Sequence, residues 1–163
     1  MRMSDKGMLA LIRRESLVLS TYLDSKQIPT IGVGHTAHAG EPKPVAGLKI
    51  SPAEGMAIFR KDLARYEADV RRAVKVPVAQ HEFDALVSFH FNTGGIARAS
   101  LTKALNAGNR AEAARLFMAW NKPAEIIDRR RDEQRQFMTG SYGPIARVPV
   151  QDKHPGRKRM VPA

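Results

Sequence analysis

The chain has 163 residues, no cysteine and a formal net charge of +11. The lack of cysteine excludes a disulfide framework and a thiolate metal site, and the histidines do not follow HExxH-type spacing, so neither a metal nor another cofactor is expected. The length corresponds to one domain with a hydrophobic core. The positive charge predicts attraction to polyanions such as nucleic acid, anionic membranes or the bacterial envelope.

The N-terminal segment predicts an amphipathic helix that begins near Ser4. One face of this helix carries residues at the i, i+3, i+4, i+7 spacing, namely Met8, Leu11, Ile12 and Glu15. A carboxylate therefore ends an apolar stripe. No apolar run reaches the roughly 20 residues of a membrane span, and no signal peptide is evident.

Alternating apolar residues follow in two runs, Leu17 to Leu23 and Ile31 to Val33, separated by the turn-like residues 24–27. They predict a small β-hairpin or sheet. After a segment rich in glycine and proline, the capping box Ser51-Pro52-Ala53-Glu54 predicts the start of a helix of about six turns that ends before Pro77.

Four further helical patterns are expected: Gln80 to about Thr93, about Ser100 to Ala107, Asn109 to Trp120, and Pro123 to Met138. The predicted fold class is therefore α+β and mainly α-helical. Residues 1–140 are expected to form one domain, with a small lobe at about 13–55, a linking helix at about 51–76 and a helical lobe at about 77–140.

Residues 141–163 contain four prolines, five Lys or Arg and one acid. Because this composition packs poorly as a core, we expect an extended or mobile basic tail. Its cations are expected to promote contact with polyanions such as the anionic bacterial envelope, and they are Arg147, Lys153, Arg157, Lys158 and Arg159.

Glu15 is the first candidate for chemistry. A carboxyl on an apolar helical face loses hydration when ionised, which raises its pKa and lets it act as a general acid. The alternative is an ordinary ion pair at a helix end. Asp24 in a turn and Thr30 in a strand also have ordinary explanations, as a cap of turn amides and a β-branched strand residue.

The joint pattern carries more information than each residue alone. Eight residues separate Glu15 from Asp24 and five separate Asp24 from Thr30, which leads into Ile31-Gly32-Val33-Gly34-His35-Thr36. This pattern resembles the phage-type lysozymes of glycoside hydrolase family 24. The resemblance continues through residues 83–94, 120–122 and 129–133, so it covers about residues 7 to 138.

The resemblance implies a lysozyme-like two-lobed fold and hydrolysis of the β-1,4 bond between N-acetylmuramic acid and N-acetylglucosamine in peptidoglycan. Glu15 would then be the general acid, Asp24 the base that activates water, and Thr30 the hydroxyl that holds this water. The family's inverting reaction would apply, and inversion needs the two carboxyls roughly 6.5 to 9.5 Å apart.

The resemblance also implies that Thr36, Phe91 and Asn92 contact saccharide, whereas their alternative is loop and core packing. We interpret His35 as structural, through a hydrogen bond to a neighbouring carboxylate. The run 129–131 is interpreted mainly as a solvated helix face of paired charges. Ser16 and Gln27 stand where the family usually has glycine, so a different hairpin turn is expected at Gln27.

The expected partner is peptidoglycan, with no specific nucleic acid, no membrane span and a monomeric state. An endolysin without a signal sequence would stay in the host cytoplasm until a holin released it to the wall, although a virion-delivered lysozyme fits equally well. A non-catalytic cationic wall-binding module and a nucleic-acid-binding protein are the alternatives from other classes.

Overall fold

The computed structural model describes residues 1–163, and its secondary structure is α+β and mainly helical, as predicted. The helices are α1 (Asp5–Glu15), α2 (Pro52–Ala73), α3 (Gln80–Thr93), α4 (Ser100–Asn106), α5 (Arg110–Leu116) and α6 (Ile127–Thr139). The strands are β1 (Leu17–Leu23), β2 (Pro29–Gly32), β3 (His35–Thr36), β4 (Arg147–Gln151) and β5 (Lys158–Pro162). No helix is both long and apolar enough to cross a membrane.

The chain forms two compact units. The first, which we call the helical unit, comprises Met1–Met8 and Ala64–Gly143. The second, which we call the sheet unit, comprises Leu9–Leu63 and Pro144–Ala163. All five strands belong to the sheet unit.

The five strands form one sheet in the order β3-β2-β1-β4-β5. Strand β1 pairs antiparallel with β2 on one side and parallel with β4 on the other. The predicted extended or mobile tail is therefore wrong for residues 147–162. Val148 and Val150 are fully buried, and pairing with β1 and β5 buries four consecutive residues of β4 despite the polar composition of the segment.

The core of the sheet unit lies between the sheet and the parts of α1 and α2 that belong to this unit. Leu11, Leu17 and Phe59 are almost completely buried in it. Strand β1 and helix α2 approach so closely that a Cβ atom on Gly55 would lie 2.6 Å from a methyl carbon of Leu17. Glycine at this position therefore allows the helix to pack on the strand.

Helix α2 begins at the predicted capping box. The backbone N–H of Ser51 donates to the Glu54 carboxylate at 2.7 Å, and the N–H of Glu54 donates to the Ser51 hydroxyl at 3.2 Å. The Ser51 N–H and the Ser51 hydroxyl, which donates to the same carboxylate at 2.8 Å, hold the pKa of Glu54 below its usual value. The helix ends at Ala73, before Pro77, as expected.

In the helical unit, α3 ends at Gly94, which has the left-handed conformation of a C-terminal cap. Two predicted helices are shorter than expected. Asn109 caps α5, but this helix stops at Leu116 and a 3₁₀ turn follows, and α6 begins at Ile127 rather than Pro123. Short 3₁₀ turns are common at helix ends, where they satisfy backbone groups. The spacing of apolar residues does not distinguish such a turn from a continued α-helix, so the predicted helices were too long.

The arginine run, residues 129–131, is not mainly a solvated helix face as the sequence predicts. Only Arg131 matches it, through an exposed pair with Asp128 at 3.2 Å. Arg130 is 1% exposed and pairs with the fully buried carboxylate of Glu133, which Arg129 also contacts at 3.0 Å. The run therefore contributes a buried ion cluster to the helical unit.

Two non-glycine residues have a left-handed backbone conformation, Ser16 at φ 73° and Gln27 at φ 62°. The expectation of another turn type at Gln27 is therefore wrong, because the turn retains the conformation that glycine favours. An L-residue with a Cβ atom is less stable there than glycine by about 1 kcal/mol.

We expect the substitution Gln27→Gly to raise the free energy of unfolding by about 0.5–1 kcal/mol, because it relieves this strain at an exposed position. Urea denaturation measures the effect. Lys26→Gly is the matched control, since Lys26 lies in the same turn without a positive φ, and it should be neutral or destabilising. Equal effects of the two substitutions would contradict the strain at Gln27.

Candidate active site

Glu15 lies where α1 meets the sheet. The predicted apolar stripe is correct, because Met8, Leu11 and Ile12 are buried, and Glu15 at its end is half-buried. The helix closes with a 2.7 Å hydrogen bond from the Ser16 N–H to the carbonyl of Ile12. The left-handed conformation of Ser16 turns the chain at once into β1, so Glu15 is held at a rigid junction.

Asp24 lies in the turn between β1 and β2 and holds that turn closed. Its Oδ1 atom accepts hydrogen bonds from the backbone N–H groups of Lys26 at 2.8 Å and Ile28 at 2.9 Å. This is the ordinary role of an aspartate in a turn. It also fixes the orientation of the carboxylate, whose second oxygen makes no hydrogen bond within the chain.

Thr30 is buried in β2, with 3% of its surface exposed. Its hydroxyl donates to the carbonyl of Ile28 at 2.9 Å. Because the single hydroxyl proton is used in this hydrogen bond, the oxygen can interact with a water molecule only as an acceptor.

Strand register places three side chains in a row across the sheet. Thr30 is paired with Tyr22 of β1 on one side and with Thr36 of β3 on the other. Directly paired residues of neighbouring strands point to the same face. A register shift between Val18 and Tyr22 produces this alignment.

Tyr22 connects the three candidate residues. Partial burial raises the pKa of its phenol, and the negative charges of Asp24 and Glu15 raise it further. Both carboxylates therefore lie close enough to act electrostatically on the same phenol, whose strand partner is Thr30. Tyr22 lies between Glu15 and Asp24 in the sequence, but the spacing of the motif gives it no role.

The site thus contains the carboxyl groups of Glu15 and Asp24 and the hydroxyl of Thr30, a set suited to acid–base chemistry with water. No cluster of three or more His, Asp and Glu residues that could hold a metal ion occurs in the chain. The predicted structural role of His35 is correct. Its ring, almost fully buried, hydrogen-bonds to the Asp62 carboxylate at 2.8 Å and to the carbonyl of Pro42 at 2.9 Å.

Of the three predicted saccharide contacts, Thr36 belongs to the sheet unit, and Phe91 and Asn92 belong to the helical unit. The ring of Phe91 packs against Tyr66 with ring centroids 4.8 Å apart. Asn92 is exposed at the end of α3, and its carbonyl oxygen accepts a hydrogen bond from the guanidinium of the buried Arg130. The buried ion cluster therefore orients the Asn92 amide.

A model of the phage lysozyme family matches residues 13–134, which include Glu15, Asp24 and Thr30. The chain belongs to the phage lysozyme family. The endolysin of Salmonella phage P22 is 36% identical over 145 residues, which cover 85% of this chain and 99% of that protein. Family and homology identify this lysozyme as a phage peptidoglycan hydrolase, a glycosidase.

Solved structures show the same fold. The endolysin from Escherichia coli O157:H7 phage FAHEc1 has a TM-score of 0.80 at 34% identity, covering 88% of this lysozyme and 98% of that chain. The muramidase domain of SpmX from Asticaccaulis excentricus has a TM-score of 0.77 at 28% identity, with 85% and 98% coverage. The predicted lysozyme-like fold is confirmed.

We expect Asp24→Asn and Glu15→Gln each to lower the pKa of Tyr22, because each removes a negative charge that disfavours the phenolate. Alkaline titration of tyrosinate absorbance, compared with Tyr22→Phe, isolates this group. The raised pKa means that the folded state favours the neutral phenol. The free energy of unfolding therefore includes a favourable contribution from Tyr22 below the ordinary phenol pKa, and this contribution decreases as the pH rises above that value.

Glu41→Gln is the charge-matched control, since Glu41 is an exposed carboxylate of the same unit and its charge is not among the causes of the Tyr22 shift. The same pKa change in all three variants would indicate a general charge effect and contradict the grouping around Tyr22.

Proposed function

We propose that this lysozyme cleaves the β-1,4 bond between N-acetylmuramic acid and N-acetylglucosamine by acid–base catalysis, with Glu15 as general acid and Asp24 as general base. The observation that carries the proposal is where the three residues lie: Glu15 ends α1 directly before β1, Asp24 closes the turn between β1 and β2, and Thr30 of β2 is paired with Tyr22 of β1. Family membership supports the same assignment.

Glu15 suits proton donation because it is half-buried at the end of an apolar stripe and is held by a short helix-to-strand junction. A general acid must remain within hydrogen-bonding reach of the glycosidic oxygen while the bond breaks. The rigid junction meets this requirement. The proton moves from the Glu15 carboxyl to the leaving oxygen, and Glu15 becomes the carboxylate.

Asp24 suits the activation of water because two backbone amides hold Oδ1 and leave the second oxygen for a water molecule. Thr30 contributes an acceptor to the same water, since its own proton is committed to Ile28. Two acceptors would direct both water hydrogens and expose the water lone pair to the anomeric carbon. This assignment predicts attack on the face opposite the leaving group, which inverts the anomeric configuration.

We further propose that Thr36, Phe91 and Asn92 bind saccharide. Thr36 follows Thr30 in the row across the sheet. Because Arg130 engages the Asn92 carbonyl oxygen, the amide nitrogen is the group left to donate to a sugar. Phe91 offers a ring that is only partly covered by Tyr66, and sugar C–H faces pack well on aromatic rings.

The biological setting follows from the family. We propose that the protein acts in host lysis as a monomer, is made in the host cytoplasm and reaches the wall after release. We also propose that its lysozyme domain extends beyond the expected residues 1–140, because β4 and β5 complete the sheet. The basic C-terminal residues would strengthen binding to the anionic envelope in a salt-sensitive manner. Deletion of residues 144–163 does not isolate this effect of charge, because it also removes the buried Val148 and Val150 and so disrupts the sheet.

We expect Glu15→Gln and Asp24→Asn each to lower kcat on peptidoglycan about 10² to 10⁴-fold, the usual contribution of a general acid or base. Release of reducing ends from purified sacculi measures the rate. Thr30→Val should reduce kcat because it removes the acceptor, whereas Thr30→Ser should retain most of it. Glu41→Gln controls for charge, and full activity of Glu15→Gln would refute the proposed acid.

We expect the first product formed to carry the α-anomer at the new reducing end, because direct attack by water on a β-glycoside inverts the configuration. NMR of the products during the first turnovers, before mutarotation, distinguishes the anomers. An initial β-anomer would indicate a retaining reaction and would give Asp24 the role of nucleophile instead of base.

A further inference from the structure

The C-terminal hairpin, which consists of β4, β5 and their connection, lies beyond the residues that the family model matches, since that match ends at 134. It is nevertheless an integral part of the sheet unit. Leu17 and Val18 of β1 pair with Val150 and Gln151 of β4. The hairpin therefore has a fixed register relative to the strand that carries Tyr22.

The connection between β4 and β5, residues 152–157, which we call the hairpin tip, has a defined internal structure. Gln151 is 6% exposed, and its amide nitrogen donates to the carbonyl of Gly156 at 2.6 Å. Its amide oxygen lies 3.3 Å from Nδ1 of His154. A Cβ atom on Gly156 would lie 2.4 Å from the carbonyl oxygen of Lys153, so the tip is tightly closed.

Two contacts bring the hairpin tip against the candidate active site. The ring of His154 packs on the ring of Tyr22, with centroids 4.6 Å apart and planes tilted by 48°. The hydroxyl of Ser20 donates to the carbonyl of Asp152. Tyr22 is paired with Thr30 across the sheet and lies two residues before Asp24, so the hairpin tip borders the proposed reaction site.

The hairpin tip also carries uncompensated positive charge. Lys153 and Arg157 are exposed, and neither forms an ion pair within the chain. The one acid of the tip, Asp152, pairs with Arg159 of β5 at 3.1 Å. The muramic residues of peptidoglycan bear peptides with free carboxylates, and such groups pair well with lysine and arginine.

We propose that the hairpin tip is a substrate-binding wall of the active site, in which Lys153 and Arg157 bind the anionic peptide substituents of the glycan strand. The His154–Tyr22 contact positions this wall beside the bond to be cleaved. This inference rests on the proposed function, because it assumes that the glycan lies across Glu15 and Asp24.

The test compares soluble glycan strands that carry their peptides with the same strands after an amidase has removed them. We expect Lys153→Ala/Arg157→Ala to raise KM about fivefold on peptide-bearing strands, the effect of losing two partly exposed charge pairs. KM on stripped strands and kcat on both substrates should change less than about twofold, within the scatter of surface substitutions.

The matched control is Lys43→Ala/Lys61→Ala, which removes the same charge from exposed positions of the same unit outside the hairpin. It should leave both KM values unchanged. Equal effects of the two double variants, or equal effects of the tip variant on the two substrates, would overturn the proposal and leave only general charge attraction.

The contact with Tyr22 is tested separately. We expect His154→Ala to raise KM on peptide-bearing strands as much as the loss of the two cations does, because it releases the tip from the sheet, whereas His154→Phe keeps the ring contact and should preserve KM. A normal KM for His154→Ala would refute the positioning role.

Binding of the same strands to the Glu15→Gln protein, measured by titration calorimetry, makes the result independent of turnover. The tip substitutions should weaken this binding about fivefold for peptide-bearing strands alone. Full activity of Glu15→Gln would contradict the proposed acid and not the hairpin tip, whereas unchanged binding would contradict the hairpin tip and not the acid.

Discussion

The pairing of β1 with β2, closed by the Asp24 carboxylate, determines where the groups of the candidate site lie. Asp24 accepts two amide hydrogen bonds across the turn, which sets Tyr22 opposite Thr30 and continues the row to Thr36. The residue proposed as general base therefore also builds the site. A substitution at Asp24 changes both the chemistry and the turn, so the isosteric asparagine is the informative variant.

Strain and rigidity occur together at this site. Ser16 follows Glu15 directly and has a left-handed conformation, as does Gln27 in the Asp24 turn. Each costs about 1 kcal/mol relative to glycine, and neighbouring hydrogen bonds and buried residues maintain it. The two turns that position Glu15 and Asp24 are thus less stable than the same turns would be with glycine at residues 16 and 27.

Buried charges organise the helical unit in a comparable way. The carboxylate of Glu133 is fully buried between two arginines, and one of them, Arg130, orients the amide of Asn92. Asp84 is fully buried and binds the backbone and hydroxyl of Ser4 and the hydroxyl of Tyr142 at 2.7 Å. Burial and this hydrogen bond raise the pKa of Tyr142 to about 12. Removing one member of such a cluster leaves an uncompensated charge, which costs about 3–5 kcal/mol.

The sequence alone determined the fold class, most of the helices and the spacing of Glu15, Asp24 and Thr30, because these follow from local periodicity, capping residues and a motif contained within 22 consecutive residues. Only the tertiary structure decided that Arg130 is buried, that His154 packs on Tyr22 and that residues 147–162 complete the sheet. Each of these depends on partners far away in the chain, and the parallel pairing of β4 with β1 joins residues more than 130 positions apart. Composition described the C-terminal segment as a polar tail, whereas two alternating valines and an available strand edge made it part of the core and brought His154 to the candidate active site.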